Sequence, residues 1–301
     1  METLEQLRRQ LDAVEDLGTL VRTMKALAQV NIHQSEHAVR AVQMYLRTVQ
    51  LGLHALLAPE DLRAAAPHLP ADASQGVVVF GSDHGLCGRF NDDAADHAVA
   101  RIALARQDGA PVRLAVVGAR VAACLEQQGE RAESLIAVPG SAPNAAATVQ
   151  CLLTLVDGWR SEGVDRVRLI HNRGVSTTRY QPVTQEMLPA DLRRVAKLDE
   201  SWPSRGRPMH TMPRASLLAA VVRQYLFVML FRACAESLAA EHGARLAAMQ
   251  AAEKALGERL GDLAKDYRRK RQERITAELL DVVGGFEVLT GGASESGREA
   301  A

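Results

Sequence analysis

The chain has 301 residues, 36 basic and 36 acidic, so its formal net charge is zero. That length can bury a sizeable core, and the charge balance excludes the chain-wide basic field that non-specific nucleic-acid binding needs. Cys87, Cys124, Cys151 and Cys234 are widely spaced with no C-x-x-C pair, so they read as reduced, small apolar side chains in a cytoplasmic compartment rather than a disulfide framework or zinc site.

Residues 1–57 read as one long helix. Glu2, Glu5, Asp12, Glu15 and Asp16 argue against a signal or transit sequence. No proline occurs before Pro59. Leu4, Leu7, Leu11, Val14, Leu17, Val21, Met24 and Ala28 recur at steps of three and four, which places them on one helix face. At about 1.5 Å per residue such a helix is about 85 Å long, more than a compact domain needs.

A proline-rich loop follows, and an α/β domain is expected over 76–200. Gly76–Phe80 is β-branched and reads as a buried strand. A helix is expected over 91–106 with Asn91 as its N-cap. A strand is expected at 112–118, helices at 119–128 and 145–160, and strands at 166–172 and 177–188. Alternating strands and helices predict some parallel pairing, a Rossmann-like layer. No segment reads as membrane-spanning: the uncharged run 134–156 contains Pro139, Gly140, Pro143 and Asn144, and the apolar run Tyr225–Phe231 is too short.

A second long helix is expected over 211–290, with a disordered tail at 291–301. No proline occurs after Pro213. Leu246, Met249, Leu256, Leu260, Leu263 and Tyr267, with Glu253 in the one polar slot, repeat at an average of 3.5 residues, a coiled-coil seam. The fold class is therefore α/β plus all-α: an antiparallel coiled coil of the N- and C-terminal helices with the α/β domain inserted between them. The C-terminal helix is the longer, so its tip should run past the start of the other.

Several motifs invite a chemical reading. The stretch GSDHGLCGRFN (81–91) joins a strand to a helix, but fits neither G-x-G-x-x-G nor G-x-x-x-x-G-K-[ST]. It reads as a tight turn that uses Gly85 and Gly88. Ser82, Asp83 and His84 are sequence neighbours, whereas triad members converge from separate places. His33 and His37 with Glu36 match H-x-x-E-H, yet zinc needs a third ligand and a cleft, so a solvated helix face is the better reading. The run Lys265–Arg274 carries six basic and two acidic residues. It suits either solvent or an acidic partner, to which arginine can bind bidentately.

The C-terminal stretch ESLAAEHGARLAAMQAAEKALGERLGDLAKDYRRKRQERITAELLDVVGG resembles the gamma subunit of F-type ATP synthases. Arg245, Ala248 and Met249 fit that family's Ala-Arg-Met-x-Ala-Met. Tyr267, Arg269, Arg271, Gln272, Ile275, Thr276, Glu278, Leu279 and Gly284 fit its Tyr-Asn-[Arg/Lys]-x-Arg-Gln-x-x-Ile-Thr-x-Glu-Leu run and glycine end. SDHGLCGRFN (82–91) and TMKALA (23–28) resemble its central and N-terminal motifs, so the likeness covers essentially the whole chain. Asp12, Glu15, Asp16, His84, Arg89, Lys254 and Arg268 depart from the pattern and imply a divergent branch, in either a housekeeping or an alternative ATPase complex.

The resemblance implies a shaft with no catalytic residue, metal or cofactor. Its implied partners are the alpha and beta subunits of the catalytic ring, the epsilon subunit and the membrane c-ring, with no nucleic acid and no bilayer insertion. Its implied place is peripheral, on the cytoplasmic face of a bacterial inner membrane. The expected partner contacts are Met24, Lys25, Arg245, Arg268, Arg269, Arg271, Gln272, Thr276 and Glu278. A stand-alone α/β nucleotide-binding enzyme with helical extensions, and an unrelated coiled-coil scaffold, are the alternatives.

Overall fold

The computed structural model describes residues 3–57, 69–141, 144–192 and 208–295, with side chains of the last stretch as far as residue 284. The prolines of the loop at 58–68, Pro143, residues 193–200 of the expected α/β domain and 296–301 of the expected tail lie outside the described residues. A mixed α/β sheet domain occupies the middle of the chain, between a long N-terminal and a long C-terminal helix. The chain divides into two compact units, Lys25–Ala248, and Met1–Met24 with Met249–Ala301.

In the larger unit, strands β1 (Gln75–Phe80), β2 (Val112–Val117), β3 (Ser134–Ile136), β4 (Arg166–Gly174) and β5 (Tyr180–Leu188) form one sheet of order β3-β2-β1-β4-β5. All neighbours pair parallel except β4 and β5, which pair antiparallel. Helices α2 (Phe90–Gln107), α3 (Ala119–Gln127) and α4 (Ala145–Ser161) connect the parallel strands, as parallel pairing requires. Both faces are covered, so every residue of β1 is buried. Val77, Val79, Leu114, Val116 and Ile170 pack with α2 and α3. Val78, Phe80, Ala115, Val117 and Leu169 pack on the other face with Trp159 of α4.

That second face also receives both long helices, α1 (Leu4–Leu56) and α5 (Arg214–Glu295). Leu46, Val49 and Leu53 of α1, and Tyr225, Val228, Leu230 and Ala233 of α5, join its core. One 18-residue window in α5 reaches a mean hydropathy of 1.6, enough by length and composition to cross a membrane. The apolar stretch is thus longer than its sequence run suggests, and Tyr225, Leu226, Val228, Met229 and Leu230 of α5 serve this core. The helices run antiparallel here: Arg214 Nε donates to the Leu56 carbonyl at 2.9 Å, Gln224 Nε2 donates to Tyr45 Oη at 3.0 Å, and Ala28 and Ile32 cluster with Leu246.

In the smaller unit, Leu7 and Val21 of α1 and Met249 and Leu263 of α5 are buried. Leu4, Leu11, Val14, Leu256, Leu260 and Tyr267 are half-buried, as the seam predicts. Leu17 departs from it. It is half exposed, and Gly18 takes the buried position, because the alternating steps of four and three that join Leu7, Leu11, Val14 and Val21 fall on 18. Every residue from Arg271 to Gly284 is exposed.

The structure adds β3, three residues that are too short to carry a legible pattern. Three expectations change in detail. Helix α2 starts at Phe90, with Arg89 at its N-cap and no side-chain cap bond, so Asn91 lies inside the helix. The expected strand at 177–188 begins at Tyr180. Helix α5 continues to Glu295, into the stretch 291–301 expected to be disordered; lengthening an existing helix needs only propagation, without a new nucleus.

Candidate functional site

In open α/β sheets, ligands bind beyond the carboxyl ends of strands where the strand order reverses. In this chain that point lies between β1 and β4, at loop 81–91. The loop satisfies its own polar groups. Asn91 Oδ1 accepts the Ser82 backbone N–H at 2.9 Å, and Asn91 Nδ2 donates to Ser82 Oγ at 2.8 Å. Ser82 Oγ donates to the His84 carbonyl at 2.6 Å. The Asp83 carboxylate accepts the backbone N–H groups of Ala119 at 2.8 Å and Val138 at 3.0 Å, so it closes the first turn of α3 instead of acting on an imidazole. Gly88 (φ +60) takes a left-handed position, but the other belongs to Leu86 (φ +63) rather than Gly85.

α5 covers this loop. Cys87 and Phe90 pack against Ala240 and Ala244, and Arg245 Nη2 reaches the Gly85 carbonyl at 3.4 Å. A helix therefore stands where an α/β enzyme holds its nucleotide. His33 and His37 are exposed on α1, and no cluster of three potential metal ligands gathers among the described residues.

A second junction ties α5 to the sheet through buried charge. Glu236 is 3% exposed and accepts three bonds: from His171 Nε2 at 2.9 Å, Arg173 Nε at 2.7 Å and Arg232 Nε at 2.7 Å. Burial pushes the Glu236 carboxyl up, but the bonds from His171 and Arg173 and the Arg232 charge outweigh it and hold it at about 2. Burial also keeps His171 neutral by lowering its value, so the ring carries its proton on Nε2 toward the carboxylate.

Because the folded value of Glu236 lies below the ordinary 4.5, its contribution is full above about pH 4.5 and disappears as pH falls toward about 2. Urea unfolding measured from pH 6 to pH 2 should lose on the order of 3 kcal/mol through that window. A Glu236→Gln variant should lose distinctly less; equal losses would discard this assignment.

Of the expected partner contacts, the distal part of α5 carries six. Arg268 donates from Nε to the Ala264 carbonyl at 3.1 Å, and Arg269 pairs with Asp266 at 3.0 Å. Arg271 and Gln272 are exposed. Thr276 Oγ1 donates to the Gln272 carbonyl at 2.9 Å, and Glu278 pairs with Arg274 at 2.9 Å. Both ion pairs are solvated, worth about 0.3–0.5 kcal/mol each, so a partner can exchange them cheaply. Within and beyond this polar stretch Ile275, Leu279, Leu280, Val282 and Val283 are all exposed, more apolar surface than a solvated helix carries without a partner.

Met24 and Lys25 are half-buried on α1. Arg245 belongs to a different surface. It pairs with buried Glu241 at 2.8 Å, whose carboxyl is raised by burial against the pull of Arg245, and it closes on the central loop.

Glu236, His171, Arg173 and Arg232 are absent from the sequence-derived set. A signal for them exists: Arg232 and Glu236 stand four apart inside the apolar stretch Leu226–Leu238, where a charge needs a buried partner. Nothing local points to β4 as the source of that partner.

A family model described as ATP synthase matches residues 3–289. The ATP synthase gamma chain of Nostoc punctiforme is 27% identical, with 96% of this chain and all of that one covered. The gamma chain of Nitrosococcus oceani is 25% identical at the same coverage. Among solved structures, a chain of the Euglena gracilis mitochondrial ATP synthase (OSCP, F1 and c-ring, rotational state 3) aligns with a TM-score of 0.64 at 17% identity, covering 99% of this chain and 96% of that one. A chain from the Tetrahymena thermophila mitochondrial ATP synthase central stalk and c-ring aligns with a TM-score of 0.57 at 20% identity, covering 77% of this chain and 99% of that one.

Proposed function

The chain belongs to the ATP synthase family, and on that premise we propose that it is the gamma chain, the central-stalk rotor that couples ion translocation through a membrane sector to ATP synthesis or hydrolysis on an alpha/beta ring. The observation that carries this reading is the exposed end of α5, where Arg268–Thr276 and the apolar residues that follow have no cover among the described residues. A ring of catalytic subunits would provide that cover. Partners with acidic loops and apolar bearing surfaces fit the two stretches in turn.

The rotor itself needs no reacting group. It has to hold three catalytic sites in different states through unequal contacts, and to exchange those states as it turns. Torque applied to the α/β domain has to enter α5, and the Glu236 and Glu241 junctions are where buried ionic bonds meet that helix. The α/β domain would contact the epsilon subunit and the c-ring, and the complex's peripheral sector would lie on the cytoplasmic face of a bacterial inner membrane.

Reconstitution with alpha and beta subunits tests the reading: ATPase activity should depend on this chain, and the purified chain alone should hydrolyse no ATP. Activity of the chain alone would favour the stand-alone enzyme. A Gln272→Ala, Thr276→Ala double variant removes two hydrogen bonds to the ring, which together weaken the grip by roughly tenfold. Its thermal unfolding should stay within about 0.5 kcal/mol of the parent, since both side chains are exposed. Parental torque and assembly in that variant would remove these two residues from the grip.

A further inference from the structure

A cavity of about 400 Å³ lies among α1, the β4–β5 hairpin and α5, with Arg40, Arg173, Arg179 and Arg232 in its wall. Glu36 and Glu236 are the carboxylates that share it, so the lining is net cationic. Glu236 already accepts from three donors. Arg173 and Arg232 each use Nε on it, which leaves their terminal nitrogens for the cavity. Arg40 and Arg179 are exposed and make no ion pair among the described residues. Ser176, Thr177 and Thr178 add hydroxyl donors from the hairpin.

Cations gathered in this way repel one another unless an anion joins them. The size lies within the range of small-ligand sites, and planar guanidinium forks match phosphate oxygens bidentately. We propose that this cavity binds a small, multiply charged phosphate anion, with Arg40 and Arg179 closing on it from α1 and the hairpin. The site is separate from the β1–β4 crevice that α5 fills, and it implies no hydrolysis. An occupant would join the hairpin to both long helices and stiffen the place where the sheet grips α5.

Inorganic pyrophosphate is the probe. Calorimetric titration of the full chain at physiological salt should give saturable binding. Arg40→Gln and Arg179→Gln should each weaken it by about tenfold, the loss of one charge-assisted contact. Arg223→Gln, an exposed arginine that pairs with Asp157 outside the cavity, should leave it unchanged. Binding should also raise the thermal midpoint of the parent chain but not of the Arg40, Arg179 double variant. Three results would each overturn the proposal: no binding at millimolar pyrophosphate, equal weakening by Arg223→Gln, or binding only to phosphatidylglycerol vesicles. Because the isolated chain is titrated, the outcome is independent of whether reconstitution supports the rotor reading.

Discussion

Glu236→Ala is expected to destabilise the folded chain by about 3–5 kcal/mol, lowering its Tm by roughly 10 °C. The carboxylate is buried and accepts from His171, Arg173 and Arg232 at once. Removing it strands the His171 Nε2–H, which is fully buried, and leaves two guanidinium groups without their counter-charge. Arg173 and Arg232 are 37% and 25% exposed in their side chains, so water relieves part of their cost, whereas none reaches His171. Calorimetric or urea unfolding of the variant measures the effect. A loss below about 1 kcal/mol, the scale of a surface ion pair, would mean that the junction contributes no more than a solvated contact. Glu236→Gln separates charge from shape: it keeps one acceptor, and should fall between alanine and the parent.

The second large effect is expected at Gly118→Ala, about 3 kcal/mol of destabilisation. Gly118 sits at φ +118, and a Cβ there would lie 2.8 Å from the Ser82 carbonyl oxygen. Relief is difficult because the neighbouring bonds hold the approach. The Gly118 N–H donates to the Ile136 carbonyl at 2.9 Å, and the Arg120 N–H donates to Ser82 O, also at 2.9 Å. Gly129→Ala is the control: its φ is +85, but nothing stands within 4 Å of its added Cβ. That variant pays only the dihedral strain, about 1 kcal/mol. Equal losses in the two variants, measured by urea unfolding, would show that the loop at Ser82 yields without cost.

Both predictions concern junctions between the sheet and its surroundings, and both would matter to the proposed rotor. Torque crosses from a globular domain to a helix only through contacts that resist shear. Hydrophobic burial is non-directional, whereas the Glu236 bonds and the Arg245 bridge from Glu241 to Gly85 have fixed geometry. A weakened Glu236 junction should therefore reduce coupling in a reconstituted complex before it abolishes assembly.

The long helices and their seam were legible because their signal is local. Leu7, Leu11, Val14 and Val21 on α1, and Met249, Leu256, Leu260 and Leu263 on α5, repeat at 3.5 residues whatever they face. The same holds for β1, whose unbroken apolar run announces burial on both faces. At the seam Leu17 is the stronger apolar signal, but the alternation of four- and three-residue steps falls on Gly18. The capping role expected of Asn91 failed for a different reason: its amide is engaged by Ser82, nine residues earlier, and a cap preference cannot anticipate a competing buried partner.

The sequence by itself determined the two helices, the inserted α/β layer and the family motifs along α5, since each is written in residue spacing that one element carries alone. Only the tertiary structure decided how the charges are used. It separated Arg245, committed to Glu241 and the central loop, from the solvated run Arg268–Glu278. It brought His171 and Arg173 to Glu236 across more than sixty residues, and it laid α5 over the crevice where a nucleotide would otherwise bind. The physical reason is the range of the information. Helical periodicity repeats every few residues, but the partner of a buried charge is set by which distant strand the chain folds against it.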